Sequence, residues 1–473
     1  MNLLIGLGSI AVVIALFNVI IFVHELGHFL AARWRGLQVD RFQIWFGKPL
    51  WKKTINGVQY GLGWIPAGGF VALPQMAPME AIEGDNRETG RTLAPVKPLD
   101  KIIVAFAGPL FSFLLALAAA LVVWGVGKPH DFVATTKIGF VMSGGPADKA
   151  GLQIGDEIVS INGQPVEGFL GSLDSVSELI MLSEGETIDI VVKRPGVEEP
   201  LTLQSRFDIP ERAWFRRKAL RQIGIWVANS SVVGMVVPEG PADRAGLQEG
   251  DRILEIGGEE ILAHARAREI IEASANEPLE FVIERDGQRL AKTVIPLIPV
   301  NAAGEDARAQ IGIGFGPSGE VSQEIVHTKP FTQIGDSVRM MWVTITKIIS
   351  PRSSVGAQHL AGPIGIGATM FDLLQIEHGW RRLIWFLVLF NVNLAILNML
   401  PLPVLDGGHI VLAIGEMVAG RPVKARLLEV VQTTFALVLL CFFLFISSKD
   451  IGDRLGFGRE APVWPEPAAA TGD

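Results

Sequence analysis

The chain has 473 residues, 49% of them hydrophobic and 19% charged, with a mean hydropathy of +0.37. That balance fits a membrane protein carrying a sizeable soluble part and excludes collagen-like, coiled-coil and disordered classes. The 41 basic against 49 acidic residues give a net charge of −8, which argues against nucleic-acid binding, and the single cysteine, Cys441, excludes an intrachain disulfide or a thiolate metal cluster.

Four stretches are long enough to span a bilayer, which takes about 20 apolar residues. They are 3–23, 102–126, 383–405 and 430–448. The first lacks a basic leader and an evident cleavage site, so it is expected to be retained. Arg33, Arg35, Arg41, Lys48, Lys52, Lys53, Arg87, Arg91, Lys97 and Lys101 lie between spans one and two. Arg421, Lys424 and Arg426 precede span four. The positive-inside rule puts both groups in the cytoplasm, and hence both termini and the stretch 127–382 on the far side of the membrane.

That far-side stretch repeats itself. Gly145-Pro-Ala-Asp-Lys-Ala-Gly-Leu-Gln-Ile-Gly-Asp-Glu-Ile recurs as Gly240-Pro-Ala-Asp-Arg-Ala-Gly-Leu-Gln-Glu-Gly-Asp-Arg-Ile. In each copy a β-branched segment precedes the motif, and a strand, a longer helix and a Val/Ile-rich strand follow, which reads as a small β-sandwich with two helices.

The chemistry sits at the end of the first apolar run, in His24-Glu25-Leu26-Gly27-His28. On a helix, positions i and i+4 share a face, so both imidazoles can reach one metal ion. Zn²⁺ suits imidazole ligands, and a catalytic zinc keeps an open position for water. Glu25 can reach that water and act as general base. Ionisable residues inside a span are costly and mark function by default. A third ligand is needed, and the candidate is Asp406 in Asn398-Met-Leu-Pro401-Leu-Pro403-Val-Leu-Asp406-Gly407-Gly408-His409, a carboxylate whose burial would be unfavourable without a cation. His409 is the competing ligand.

The repeated motif resembles the PDZ family in the form common in bacterial proteases, whose members bind peptide termini by strand addition. Two roles stay open for the copies, peptide binding or steric exclusion. The fold class expected is therefore a polytopic α-helical membrane protein with four transmembrane helices and a membrane-associated β segment, plus two tandem PDZ β-sandwich domains. The expected boundaries are 1–127 for the first half of the membrane domain, with the β segment at about 55–75. PDZ domains follow at 128–210 and 220–300, then a linker over 301–380 with an amphipathic helix at about 331–349. The second half of the membrane domain covers 381–448, and a disordered tail covers 449–473.

H-E-x-x-H in the first span together with N-x-x-P-x-P-x-x-D-G near the third resembles the site-2 protease family of intramembrane zinc metalloproteases, M50. The two PDZ copies between spans two and three make the bacterial regulator-of-sigma-E type the nearest form. The resemblance implies one Zn²⁺ held by His24, His28 and Asp406, with Glu25 as catalytic base. It implies that Asn398 holds substrate backbone or steadies the tetrahedral intermediate. Gly68-Gly69-Phe70-Val71 matches the family's membrane-associated strand, so Gly69, Phe70 and Val71 are expected to bind an extended substrate along a free edge. Ala107-Gly108-Pro109 resembles the family's G-P-x-x-N pattern, with Ser112 where Asn is usual, and Gly362-Pro363-Ile364-Gly365 resembles its G-P-x-G segment. The implied substrates are single-span membrane proteins already trimmed outside, such as anti-sigma factors, and signal-peptide remnants. The implied location is a bacterial inner membrane, with the PDZ copies in the periplasm. Two rivals are a membrane-held PDZ adaptor with a structural metal, and a metal transporter using the same ligands.

Overall fold

The computed structural model describes residues 3–76, 96–210, 217–228, 231–302, 307–316, 322–420, 425–455 and 463–465. Arg87, Arg91, Arg421 and Lys424, invoked above for orientation, lie outside the described residues, as does the side chain of Arg426. The chain divides into two units. One comprises 1–129, 325–345 and 360–451, and the other 130–324, 346–359 and 452–473.

The first unit opens with helix α1, Leu3–Arg35. The apolar run was expected to end at residue 23. The helix instead carries on for twelve residues, so the H-E-x-x-H segment lies within it. Polar residues that find partners inside the protein need not end a span. Strands β1 (Arg41–Ile55) and β2 (Val58–Ala72) follow, so the β segment begins near residue 41 and not 55. Phe42 pairs with both Val71 and Tyr60, and Ile44 with both Gly69 and Leu62. The stretch 41–44 is therefore sandwiched between 59–62 and 69–72, leaving 69–72 at the margin of the sheet. Helix α2, Pro98–Val126, carries Ala107, Gly108, Ala116, Ala119 and Ala120 on its buried face. Small residues let helix backbones approach closely where no hydrophobic effect drives association.

The second unit begins with β3 (Lys128–Phe132), of which 130–132 belong to it, and holds two copies of one module. The first has β4 (Ile138–Val141), α3 (Pro146–Lys149), β5 (Glu157–Ile161), β6 (Gln164–Pro165), α4 (Val176–Leu182), β7 (Thr187–Lys193), β8 (Leu201–Arg206) and β9 (Ile225–Val227). The second has β10 (Val233–Val236), α5 (Pro241–Arg244), β11 (Arg252–Ile256), β12 (Glu259–Glu260), α6 (His264–Ala273), β13 (Leu279–Arg285), β14 (Gln288–Val294) and β15 (Ile313–Phe315). The sheets have matching orders, β6-β5-β7-β8 and β12-β11-β13-β14, and β4 pairs with β9 as β10 pairs with β15. Those last pairings correct the expected boundaries: the first module closes on 225–227, beyond residue 210, and the second on 313–315, beyond residue 300. The closing strands carry a second repeat, Gln222-Ile-Gly-Ile and Gln310-Ile-Gly-Ile.

The Gly-Asp of the repeated motif has a visible purpose. Asp156 and Asp251 are fully buried. Arg194 donates to Asp156 from Nε and Nη2, each at 2.8 Å, and Arg285 donates to Asp251 at 2.6 and 2.7 Å. The backbone N–H groups of Gln153 and Gln248 donate to the same carboxylates. Bidentate, charge-assisted bonding of this kind lets a carboxylate sit in an apolar core.

After β16 (Ser322–Val326) the first unit resumes with α7, Pro330–Ile349, where a helix was expected. Ile334 packs with Ala120 and Val123 of α2, and Gln333 donates to the Ala120 carbonyl at 3.1 Å, while Phe331 and Trp342 are exposed. Helices α8 (Pro363–Gln375), α9 (Gly379–Asn398), α10 (Asp406–Ala419) and α11 (Ala425–Leu455) complete the chain. Span three was expected over 383–405, but its helix stops at Asn398, ahead of Pro401 and Pro403, whose rings cannot continue it. A separate helix, α10, then starts at Asp406. Span four is longer than expected at both ends. The tail was expected to be disordered from 449. Instead, α11 continues to Leu455 and Val463–Pro465 is placed in the second unit. Among the described residues, four helices are long and apolar enough to cross a membrane: α1, α2, α9 and α11.

The Gly362-Pro-Ile-Gly365 segment begins α8. Asp450 accepts the backbone N–H of Gly362 at 3.0 Å and of Gly365 at 2.9 Å. A Cβ on Gly365 would lie 2.6 Å from the Asp450 Oδ1. Both glycines thus admit a buried carboxylate to a helix N-terminus, where the dipole favours it.

Candidate metal centre

The centre is assembled in the first unit from α1, α2, the end of β2 and the α9–α10 turn. α2 packs against α1, α9 and α10. The contact with α1 is close because Gly27 faces the Ala107 carbonyl, which would lie 2.3 Å from a Cβ at that position. Between α9 and α10 the chain folds tightly over the start of α10. A Cβ on Gly407 would lie 2.3 Å from the Met399 carbonyl oxygen, and one on Gly408 would lie 2.1 Å from that of Leu402. The D-G-G sequence is therefore what allows Asp406 to occupy the first turn of α10, with its carboxylate at the positive end of the helix.

His24, His28 and Asp406 converge. His24 Nε2 lies 3.3 Å from Asp406 Oδ2, His28 Nε2 lies 3.3 Å from Asp406 Oδ1, and the two Nε2 atoms are 3.3 Å apart. The opposite ring nitrogens are occupied. His28 Nδ1–H donates to the Val104 carbonyl at 2.8 Å, and His24 Nδ1 is 2.9 Å from Ser112 Oγ. The carbonyl can only accept, so the Nε2 lone pair of His28 points into the site. Ser112 Oγ can accept from His24 Nδ1–H, and in that pairing the Nε2 lone pair of His24 points into the site as well.

Two lone pairs and a carboxylate then face one point, and Asp406 Oδ2 is buried without a hydrogen-bond donor among the described residues. With both rings neutral, such an arrangement is repulsive unless a cation occupies it. The two Nε2 atoms are 3.3 Å apart, the edge of a tetrahedron whose arms are about 2.0–2.1 Å, the usual zinc–ligand length, and each has one oxygen of Asp406 at 3.3 Å. The residues present fit a tetrahedral divalent ion with one position open.

The other expected site residues lie around the same cavity, of about 260 Å³, which is lined by Glu25, Gly69, Phe70, Val71, Asn398 and His409 as well as the three ligand candidates. The carboxylate of Glu25 faces the backbone of Val71. A Cβ on Gly69 would be 3.4 Å from Glu25 Cγ, so the margin of the sheet runs directly past the acid. Asn398 Nδ2 is 3.5 Å from His24 Nε2. His409 reaches the cavity but stands outside the converging trio.

Two contributors stand in the Ala107-Gly108-Pro109 and Ser112 pattern noted above, which gave neither a role. Ser112 is fully buried and holds His24. Gly108 makes room for His28, whose Nε2 would lie 2.1 Å from any Cβ there. The available signal was a lone hydroxyl at position 112, four residues after Gly108, in an uncharged span.

A family model described as Peptidase family M50 matches residues 12–442. The chain belongs to peptidase family M50. This M50 peptidase is 31% identical over 440 residues to Protease RseP of Yersinia pestis, covering 89% of this chain and 93% of the relative. It is 28% identical over 476 residues to the regulator of sigma E protease of Haemophilus influenzae, covering 95% and 99%. A Vibrio cholerae relative, 30% identical over 453 residues and covering 89% and 93%, carries zinc metalloprotease in its name. Among solved structures, the PDZ domain of an SdrC-like protein from Listeria monocytogenes matches 18% of this M50 chain and 87% of its own, at 18% identity and a TM-score of 0.16.

Proposed function

We propose that this M50 peptidase is an intramembrane zinc endopeptidase that hydrolyses peptide bonds in or near single-span membrane segments. The observation that carries the reading is the convergence of His24, His28 and Asp406 beside Glu25 and a sheet margin, within a unit built from spanning-length helices. Zinc held by His24, His28 and Asp406 would supply Lewis acidity, lowering the pKa of a water at the site towards roughly 7. Glu25 takes the proton of the attacking water and passes it to the leaving amine. Asn398 donates its side-chain amide to substrate oxygen as charge develops there. The 69–72 margin pairs with the substrate backbone, which must leave its helix to expose the scissile carbonyl.

The two modules are read as tandem PDZ domains on the periplasmic side of a bacterial inner membrane. They pass only substrates whose outer domain has been removed, among them anti-sigma factors and signal-peptide remnants. The names of the Yersinia and Haemophilus relatives support a substrate class tied to sigma-factor control.

The test is cleavage of a single-span substrate lacking an outer domain by purified protein in detergent. Activity is expected to vanish on zinc chelation and return on adding zinc alone. Zinc-independent cleavage, or zinc binding without cleavage across several unstructured spans, would sink the reading. A second expected outcome concerns Ser112. Ser112→Ala keeps the three ligand candidates but releases the His24 ring, and should weaken zinc affinity about 10–100-fold. Competition with a chromogenic chelator measures this.

A further inference from the structure

The fragment Val463–Pro465 makes specific contacts with the second module. The Val300 backbone N–H donates to the Val463 carbonyl at 2.8 Å, and the Val463 N–H donates to Asn301 Oδ1 at 2.9 Å. Trp464 then sets its indole against two glycines of the repeated motifs. A Cβ on Gly240 would lie 3.3 Å from Trp464 Nε1, and one on Gly312 would lie 3.0 Å from its Cζ2. Gly312 also has φ +77°, a conformation that favours glycine. The slot is thus open because both positions lack side chains.

The first module provides an internal control. Its equivalent positions are Gly145 and Gly224, each held to the loop before its short helix in the same way. The Met142 and Val237 N–H groups donate to the Gly224 and Gly312 carbonyls, and those of Ala147 and Ala242 donate to the Ile223 and Ile311 carbonyls. There the slot is filled from within. Met142 Cβ and Cε would each lie 3.2 Å from a Cβ on Gly224. The second module has the shorter Val237 at the position of Met142, and Trp464 takes up the space. Trp464 Nε1 is buried with no hydrogen-bond partner among the described residues, as suits a detachable occupant more than a fixed core residue.

We propose that the second module carries a receptor slot for a tryptophan borne on an extended chain, and that the protein's own C-terminal segment is its resident occupant. A segment offering the same chemistry, an apolar residue and a tryptophan in extended backbone, competes with the tail for Gly240, Gly312 and the Val300 N–H. The two modules differ in this respect by one side chain, Val237 against Met142.

Hydrogen exchange on the full chain in detergent tests this, reading the backbone around Val300. Trp464→Ala should raise exchange there at least about tenfold while leaving β11 and β13 protected. Val237→Met, which fills the slot as the first module does, should do the same. Excess synthetic peptide of residues 460–468 should restore protection to Trp464→Ala but not to Trp464→Ala/Val237→Met. Unchanged exchange at Val300 in either single variant would overturn the proposal. So would equal restoration by a peptide with alanine in place of the tryptophan. Loss of protection across β11 and β13 in Trp464→Ala would overturn it too, by making the indole part of the module's core.

Discussion

Replacing Glu25 by Gln is expected to lower cleavage of a single-span substrate by at least about 10³-fold while leaving bound zinc unchanged. Glu25 follows His24 by one residue on α1, so it projects about 100° around the helix from the ligand face and cannot join the trio formed with His28. Its carboxylate instead faces the Val71 backbone at the sheet margin, where an extended substrate would lie. Glutamine keeps the size and the ability to accept a backbone N–H, but it has no carboxylate to receive the proton of the attacking water. Metal analysis beside the cleavage assay separates the two roles. Zinc retained with activity lost assigns the base. Activity retained would move the reading to an adaptor in which the metal is structural, and zinc lost with activity would make Glu25 a ligand-shell residue and not a base.

The parts of this centre that were legible in the sequence are those encoded by short local patterns. His24 and His28 are related by one helical turn, and Asp406 is announced by the prolines and glycines around it. What was not legible depends on elements that meet only in the folded chain. Ser112 reaches His24 across 88 positions of sequence, and the Val104 carbonyl reaches His28 across 76. A hydropathy window ended the first span at residue 23 because it counts His24, Glu25 and His28 as exposed polar groups. In the structure the two histidines are turned towards partners on α2 and α10 and Glu25 towards the Val71 backbone, so α1 continues to Arg35. The module boundaries failed for a related reason. Their closing strands, 225–227 and 313–315, follow long connections and are recognisable only once their pairing with β4 and β10 is known. Of the tail expected to be disordered, 456–462 and 466–473 lie outside the described residues, while Trp464 is placed by a slot that two distant glycines create, which composition does not show.

Gly108→Ala should abolish zinc binding, with an affinity loss above about 10²-fold and no measurable cleavage. Helix propensity alone points the other way. Alanine in the interior of a helix is favoured over glycine by about 1 kcal/mol, so the variant would be expected to strengthen α2. Packing decides the outcome. The new Cβ would lie 2.1 Å from His28 Nε2, 2.4 Å from Cε1 and 2.8 Å from Cδ2, distances that no relaxation of a few tenths of an ångström can absorb. The ring cannot simply turn aside, because its Nδ1–H is held by the Val104 carbonyl on the same helix. Nor can α1 draw back cheaply, since Gly27 is set against the Ala107 carbonyl one residue before the substitution. Expelling the imidazole is the available response, and it removes one of the three proposed ligands while leaving both helices intact. The expected signature is therefore a folded protein of unchanged or raised thermal stability in the absence of metal, in which added zinc produces no further stabilisation. In the wild type, zinc should raise the melting temperature, because a ligand that binds only the native state stabilises it. A Gly108→Ala protein that still gains stability from zinc would mean that His28 is not held against α2 as the geometry requires.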